Sequence, residues 1–120
     1  MARITVLRNS DEAVDFKAGQ VVFNQGDEAE QMYVVLDGAI DMIVNGVSVG
    51  TAEPGDAFGE MALIDQSRRS GAAVAKTDSR VVAIDRRRFL FMVTETPNFA
   101  LQLMGTLAER LRAKDDGLVG

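Results

Sequence analysis

One stretch of the chain sets unlike polar side chains among apolar ones at short spacing. It runs Phe58-Gly59-Glu60-Met61-Ala62-Leu63-Ile64 and resumes, after a short interval, as Arg68-Arg69-Ser70-Gly71-Ala72-Ala73-Val74-Ala75. Glu60 has apolar neighbours, and an ionised carboxylate there needs donors; sugar hydroxyls would serve. Arg69 offers a planar fork that matches phosphate oxygens, and Ser70 adds a hydroxyl and an N–H at the same place. Gly59 has no side chain, so a ligand can approach the backbone closely. The first half reads as a single helical turn whose early N–H groups suit an anion. A carboxylate for a sugar, an arginine for a phosphate and apolar walls for a base together describe a nucleotide site. Each residue also has a plainer reading. Glu60 could be a first-turn acid favoured by the helix dipole, Ser70 a turn-former and Arg68 a solvated loop charge. The methionines at 32, 42, 61, 92 and 104 read as core filler. It is Glu60 followed by Arg69 that favours a ligand.

The rest of the composition narrows the chemistry. The chain has no cysteine and no histidine, so a thiol nucleophile, a thiolate metal site and the commonest general base are all missing. No metal or other cofactor is expected, and no enzyme activity. A jelly-roll enzyme working through a histidine-held metal lacks its ligands here. Net charge is −5, which argues against nucleic-acid and anionic-membrane partners. An acidic chain that holds a phosphate must do so with a local arginine or an amide nest. Arg86-Arg87-Arg88 reads as the exposed face of a helix. No run approaches the roughly 20 apolar residues of a membrane helix, and Met1-Ala2-Arg3 leads into no signal-peptide core. The expected location is the cytoplasm.

The elements that must position Glu60 and Arg69 are mostly strands. Val21-Val22-Phe23, Met32 to Leu36, Ile40 to Val44, Val47-Ser48-Val49 and Val81 to Ile84 are rich in β-branched or aromatic residues. Asn45-Gly46 between two of them is the strongest hairpin signal, because a type I′ turn needs positive φ twice. Many short strands at this spacing predict a sandwich or barrel, not a parallel sheet. After Asp85 the pattern becomes helical. Asp85 is the expected N-cap of a helix through Glu95; Pro97 breaks it, and Asn98 is the expected cap of a second helix ending at Lys114 to Gly117. That helix carries apolar residues spread beyond one stripe, with Leu103, Leu107 and Leu111 expected to remain exposed. With 120 residues and 47% apolar content, one domain over 1–120 is expected: a β-roll over about 3–85 and a helical tail over about 86–116.

Taken together, the stretch resembles the phosphate-binding cassette of the cyclic-nucleotide-binding domain family: FGE, an apolar residue, A-L, then R-[ST]-A and a strand. The likeness extends through Phe16 to Phe23, Gly26-Asp27, Tyr33 to Gly38, Pro54-Gly55-Asp56 and the tail through Leu107 to Arg112. It implies a mainly β fold with C-terminal helices, a β-roll of double-stranded β-helix (jelly-roll) type with a short cassette helix and two helices after it. It also implies that Glu60 accepts the ribose 2′-OH with help from the Gly59 N–H, and that Arg69 pairs with the cyclic phosphate beside Ser70. Met61 and Ala62 would supply backbone or wall contacts, with Val49 and Met42 beside the base. The implied function is a stand-alone sensor for cAMP or cGMP, passing its signal to an unidentified downstream protein or to a second copy joined through the last helix. A module that keeps the fold without the ligand is the alternative. Arg68 stands where many members carry proline, and Gly71-Ala72 where Ala-Thr is common. The base lid is expected from the last helix, which offers Arg110, Lys114 and Asp115.

Overall fold

The β-branched runs pair into two four-stranded antiparallel sheets, as a computed structural model shows; it describes residues 4, 7, 12–64 and 67–119, with side chains in α3 through Arg112. The strands are β1 (Ala13–Phe16), β2 (Val21–Phe23), β3 (Gln31–Asp37), β4 (Ile40–Val44), β5 (Val47–Ala52), β6 (Ala57–Phe58), β7 (Ala72–Ala75) and β8 (Ser79–Asp85). One sheet has the order β1-β8-β3-β6 and the other β2-β7-β4-β5. Consecutive strands thus alternate between the sheets except at the β4–β5 hairpin, the jelly-roll arrangement. A four-residue helix, α1 (Met61–Ile64), interrupts the strands, and α2 (Arg86–Glu95) and α3 (Pro97–Val119) follow them.

Local chemistry explains the joints. Asn45 and Gly46 take φ of 51° and 81°, the two positive values of the type I′ turn that close the β4–β5 hairpin. The register shifts between Met42 and Ile43, an irregularity that adds local twist at the end of the hairpin.

The core has two parts because β3 and β8 are covered on both faces. Between the sheets lie Phe23, Val35, Ile40, Phe58 and Val81. On the other side, Met32, Val34, Val82 and Ile84 pack against Met92, Phe99 and Leu103 of the helices. That double burial is why β3 and β8 read as nearly continuous apolar runs in place of clean alternation. Phe99 is fully buried and meets Phe89 edge to face at 5.9 Å, so it fixes α3 against α2 and the sheet.

Asp85 caps α2 as expected, its side chain accepting from the Arg88 N–H at 2.8 Å. Two expectations about α3 are corrected. It begins at Pro97, not after an Asn98 cap, because proline at the first helical position has a preset φ and loses no hydrogen bond. It also continues past Gly117 to Val119; one helical glycine costs only about 1 kcal/mol against alanine.

Candidate nucleotide-binding site

A cavity of about 720 Å³ opens between the β4–β5 hairpin, the β6–α1 turn, the start of β7 and the inner face of α3. That volume suits a small-molecule ligand. All eight residues expected at the site reach it. Glu60 and Ala62 are buried beside the turn, Gly59 and Met42 are half-buried, and Met61, Val49 and Ser70 are exposed at the mouth. Arg69 is buried as well, at 8% exposure.

Arg69 is held from all sides. Its Nη1 donates to the Gly59 carbonyl at 3.0 Å and its Nη2 to the Gln31 carbonyl at 2.6 Å. The guanidinium lies over the Phe23 ring, 4.0 Å from its centroid, within the range of a cation–π contact. Gly59 makes this possible: at φ +71°, a Cβ there would fall 2.6 Å from Nη1. The main chain of Arg69 is clamped as well, donating to Asp27 O at 2.9 Å and accepting from the Gly26 N–H at 2.8 Å. The side chain packs on the aromatic cluster of Phe23, Tyr33 and Phe58. Its Nε–H is buried with no partner. Burial pulls the guanidinium below its ordinary pKa, opposed by Tyr33, Asp27 and Glu60. Burial also raises the Tyr33 phenol, while Arg69 draws it back. A buried cation with an unpartnered donor favours an arriving anion.

Glu60 is satisfied differently. It begins the α1 turn, its carbonyl accepting from the Leu63 N–H at 3.0 Å, and its carboxylate is paired with Arg110 of α3. Arg110 also donates to the Ala57 carbonyl. One residue of the tail therefore ties α3 to the β6–α1 turn at two points. Arg110 was among the residues the last helix offers as a lid; the side chains of Lys114 and Asp115 lie outside the described residues. Arg68 behaves as a bystander, its side chain 67% exposed and donating to Gly26 O. Sequence reasoning missed Thr106 and Glu109, which line the cavity beside Arg110. The signal was there in the 106, 109, 110 spacing of one helix face. No group of three or more metal-ligating side chains occurs among the described residues.

The family model of the cyclic nucleotide-binding domain matches residues 13–96. The chain belongs to the cyclic nucleotide-binding domain family. Over 105 residues this domain is 32% identical to the cyclic AMP receptor protein of Thermus thermophilus, covering 83% of the chain and 49% of that protein. It is 39% identical over 83 residues to the cAMP-dependent protein kinase regulatory subunit of Debaryomyces hansenii, covering 68% of the chain and 18% of the subunit. The crystal structure of the Thermus thermophilus catabolite activator protein superposes with a TM-score of 0.77 at 32% identity, covering 88% of the chain and 52% of that structure. The chain thus spans about half the length of the Thermus protein and about a fifth of the kinase subunit.

In this cyclic nucleotide-binding domain α3 lies beyond the matched residues and has two distinct faces. One turns Thr106, Glu109 and Arg110 to the cavity. The opposite face leaves Leu101, Met104 and Leu111 at 63%, 57% and 63% exposure, with half-buried Ala108 between them. This corrects the expected stripe. Leu103 is buried and Leu107 packs on the core, because the sheet takes that side of the helix; only Leu111 stays exposed as expected. No described helix is long and apolar enough to cross a membrane.

Proposed function

We propose that this domain is a sensor that binds a cyclic nucleotide, cAMP or cGMP, and performs no reaction on it. The observation that carries the reading is the convergence of Glu60 and Arg69 on one cavity, with Arg69 buried and its Nε–H unpartnered. In this reading the cyclic phosphate takes over the Arg69 fork, beside the Ser70 hydroxyl and N–H. Glu60 accepts the ribose 2′-OH with help from the Gly59 N–H. Met61 and Ala62 contact the ligand at the turn, and the base lies along Met42 and Val49. The likeness to a cyclic AMP receptor and to a cAMP-dependent kinase subunit supports this ligand class.

Arg110 gives occupancy a route outward. A ribose hydroxyl arriving at Glu60 meets the carboxylate that Arg110 already holds, so binding biases the arrangement of α3. The signal then passes to another protein or a second copy in the cytoplasm. Leu101, Met104, Ala108 and Leu111 recur at intervals of 3, 4 and 3, the spacing of a helix–helix seam, which supports a two-fold dimer through α3. Light scattering should show that dimer in the parent and a monomer for Met104→Glu.

A second reading, a domain that keeps the fold without the ligand, is favoured by one observation: Glu60 and Arg69 both have internal partners. Calorimetric titration with cAMP, cGMP and 5′-AMP separates the two. Heat with a cyclic nucleotide and none with 5′-AMP supports the sensor; no heat with any of them leaves the second reading.

A further inference from the structure

The proposed base wall, Met42 and Val49, stands on a hairpin whose far end leaves the sheet. The β4–β7 ladder stops at the Ile43–Ala72 pair, and β5 is the outermost strand of its sheet. Pairing of β4 with β5 shifts between Met42 and Ile43, which leaves Val49 as an extra residue on β5. Such a bulge lets a strand bend, so the place of Val49 depends on what holds the hairpin tip. Gln25 holds it. Its Oε1 accepts from the Asn45 N–H at 2.9 Å, and its Nε2 donates to Asn45 Oδ1 at 2.9 Å. The same turn also grips the opposite side of the cavity. The Gly26 N–H donates to Arg69 O at 2.8 Å, and the Asp27 carbonyl accepts from the Arg69 N–H at 2.9 Å. Gln25 and Asn45 are exposed and lie outside the cavity lining.

From this we infer that Gln25 is a positioning residue: through Asn45 it latches the β4–β5 hairpin to the turn that clamps Arg69, and so sets the spacing between base wall and phosphate arginine. The inference rests on the reading of the site given above and names what holds its two sides in register. Neither side chain has to touch the ligand. With the latch open the tip swings about the bulge, and only the fraction of molecules with Val49 in place binds.

Titration of variants with cAMP and cGMP tests this, with folding checked by circular dichroism. Gln25→Ala removes both bonds and should weaken binding about fivefold. Amide exchange in residues 44–49 should speed up, while that of α2 stays as in the parent. Conservative variants then separate the latch from mere bulk. Gln25→Glu keeps it, because the Asn45 amide can turn its NH2 toward the carboxylate. Asn45→Asp keeps it too, because Nε2 donates to a carboxylate as readily, and aspartate tolerates the positive φ of 51°. Each of these should bind within about twofold of the parent. Together they set two carboxylates against each other, and the double variant should bind about tenfold more weakly. Added negative charge by itself would only multiply the two single losses, and that result overturns the inference. So does a Gln25→Ala protein that binds like the parent, or one that binds more weakly with exchange in residues 44–49 unchanged. Should Gln25→Ala not fold, the carboxylate cycle decides alone. A parent that binds neither nucleotide overturns the reading of the site and this inference with it, whereas a parent that binds with a purely multiplicative cycle overturns this inference only.

Discussion

The two ends of the cavity are built on different plans. At the Arg69 end everything comes from the β-roll: main-chain carbonyls of Gly59 and Gln31, the Phe23 ring and the clamp to Asp27 and Gly26. At the Glu60 end the partner comes from α3, 50 residues away along the chain. The first end is set once the sheets have paired. The second is complete only when the tail has docked. Rigid anchoring suits capture of a charged group, whereas an ion pair across two elements, with Arg110 42% exposed, is a contact that can be exchanged. In the proposed sensor, capture and signalling would therefore rest on different residues.

The comparison breaks most sharply at Arg69. In the proposed site Arg69→Ala removes the charge-assisted partner of the ligand's phosphate, a loss of roughly 2–5 kcal/mol, so titration should show affinity down by about thirtyfold or more. Two acceptors, on Gly59 and Gln31, lose their donor at the same time, costing about 1–2 kcal/mol net of the relieved burial of charge. Thermal melting should accordingly fall by about 5 °C. Hydrogen exchange in residues 106–112 should be unchanged, because the carbonyls and ring that hold Arg69 belong to the β-roll. A melting temperature equal to the parent's would contradict the packed arginine.

At the other end the effect on binding is smaller and the effect on the tail larger. Glu60→Gln removes a charged acceptor worth about tenfold, and the preference of the parent for ribose over 2′-deoxyribose cyclic nucleotides should shrink with it. Since Arg110 loses its counter-charge, amide exchange in residues 106–112 should speed up before any ligand is added. Should Glu60→Gln leave the tail as protected as in the parent, the two ends would be alike and the division drawn here would fail.

The smallest effect sharpens the same contrast by optics. Tyr33 is the one tyrosine of the chain, so absorbance titration reads it alone. Its phenol is raised above the ordinary 10.0 by burial, with Arg69 pulling the other way. A phosphate on Arg69 offsets that pull, so ligand should move the titration further up. The linkage follows in sign: a raised folded pKa gives stability that is full below about 10 and is lost as pH rises through the folded value. Glu60→Gln should leave the ligand-free titration of Tyr33 nearly where it was.

Much of this protein is legible in local sequence. Asn45-Gly46 can close only one kind of hairpin, Asp85 can cap only a helix that follows it, and the β-branched runs need partners. Glu60 and Arg69 were legible for the same reason, since their chemistry is incongruous among apolar neighbours. What local sequence left open lay where two distant segments meet. Whether Leu103 or Met104 faces water depends on which side of α3 the sheet occupies, and the helix is apolar enough on both sides to allow either. Pro97 follows the end of one helix and also begins the next, where its preset φ fits the first turn and Phe99 packs between α2 and the sheet. The same holds at the site. The residue types at 60 and 69 were set by the sequence, but that Arg69 would turn inward over Phe23, and that Arg110 would reach Glu60, depended on sheets and tail closing around them. Residue chemistry is a local property; the partner that satisfies it is chosen by the fold.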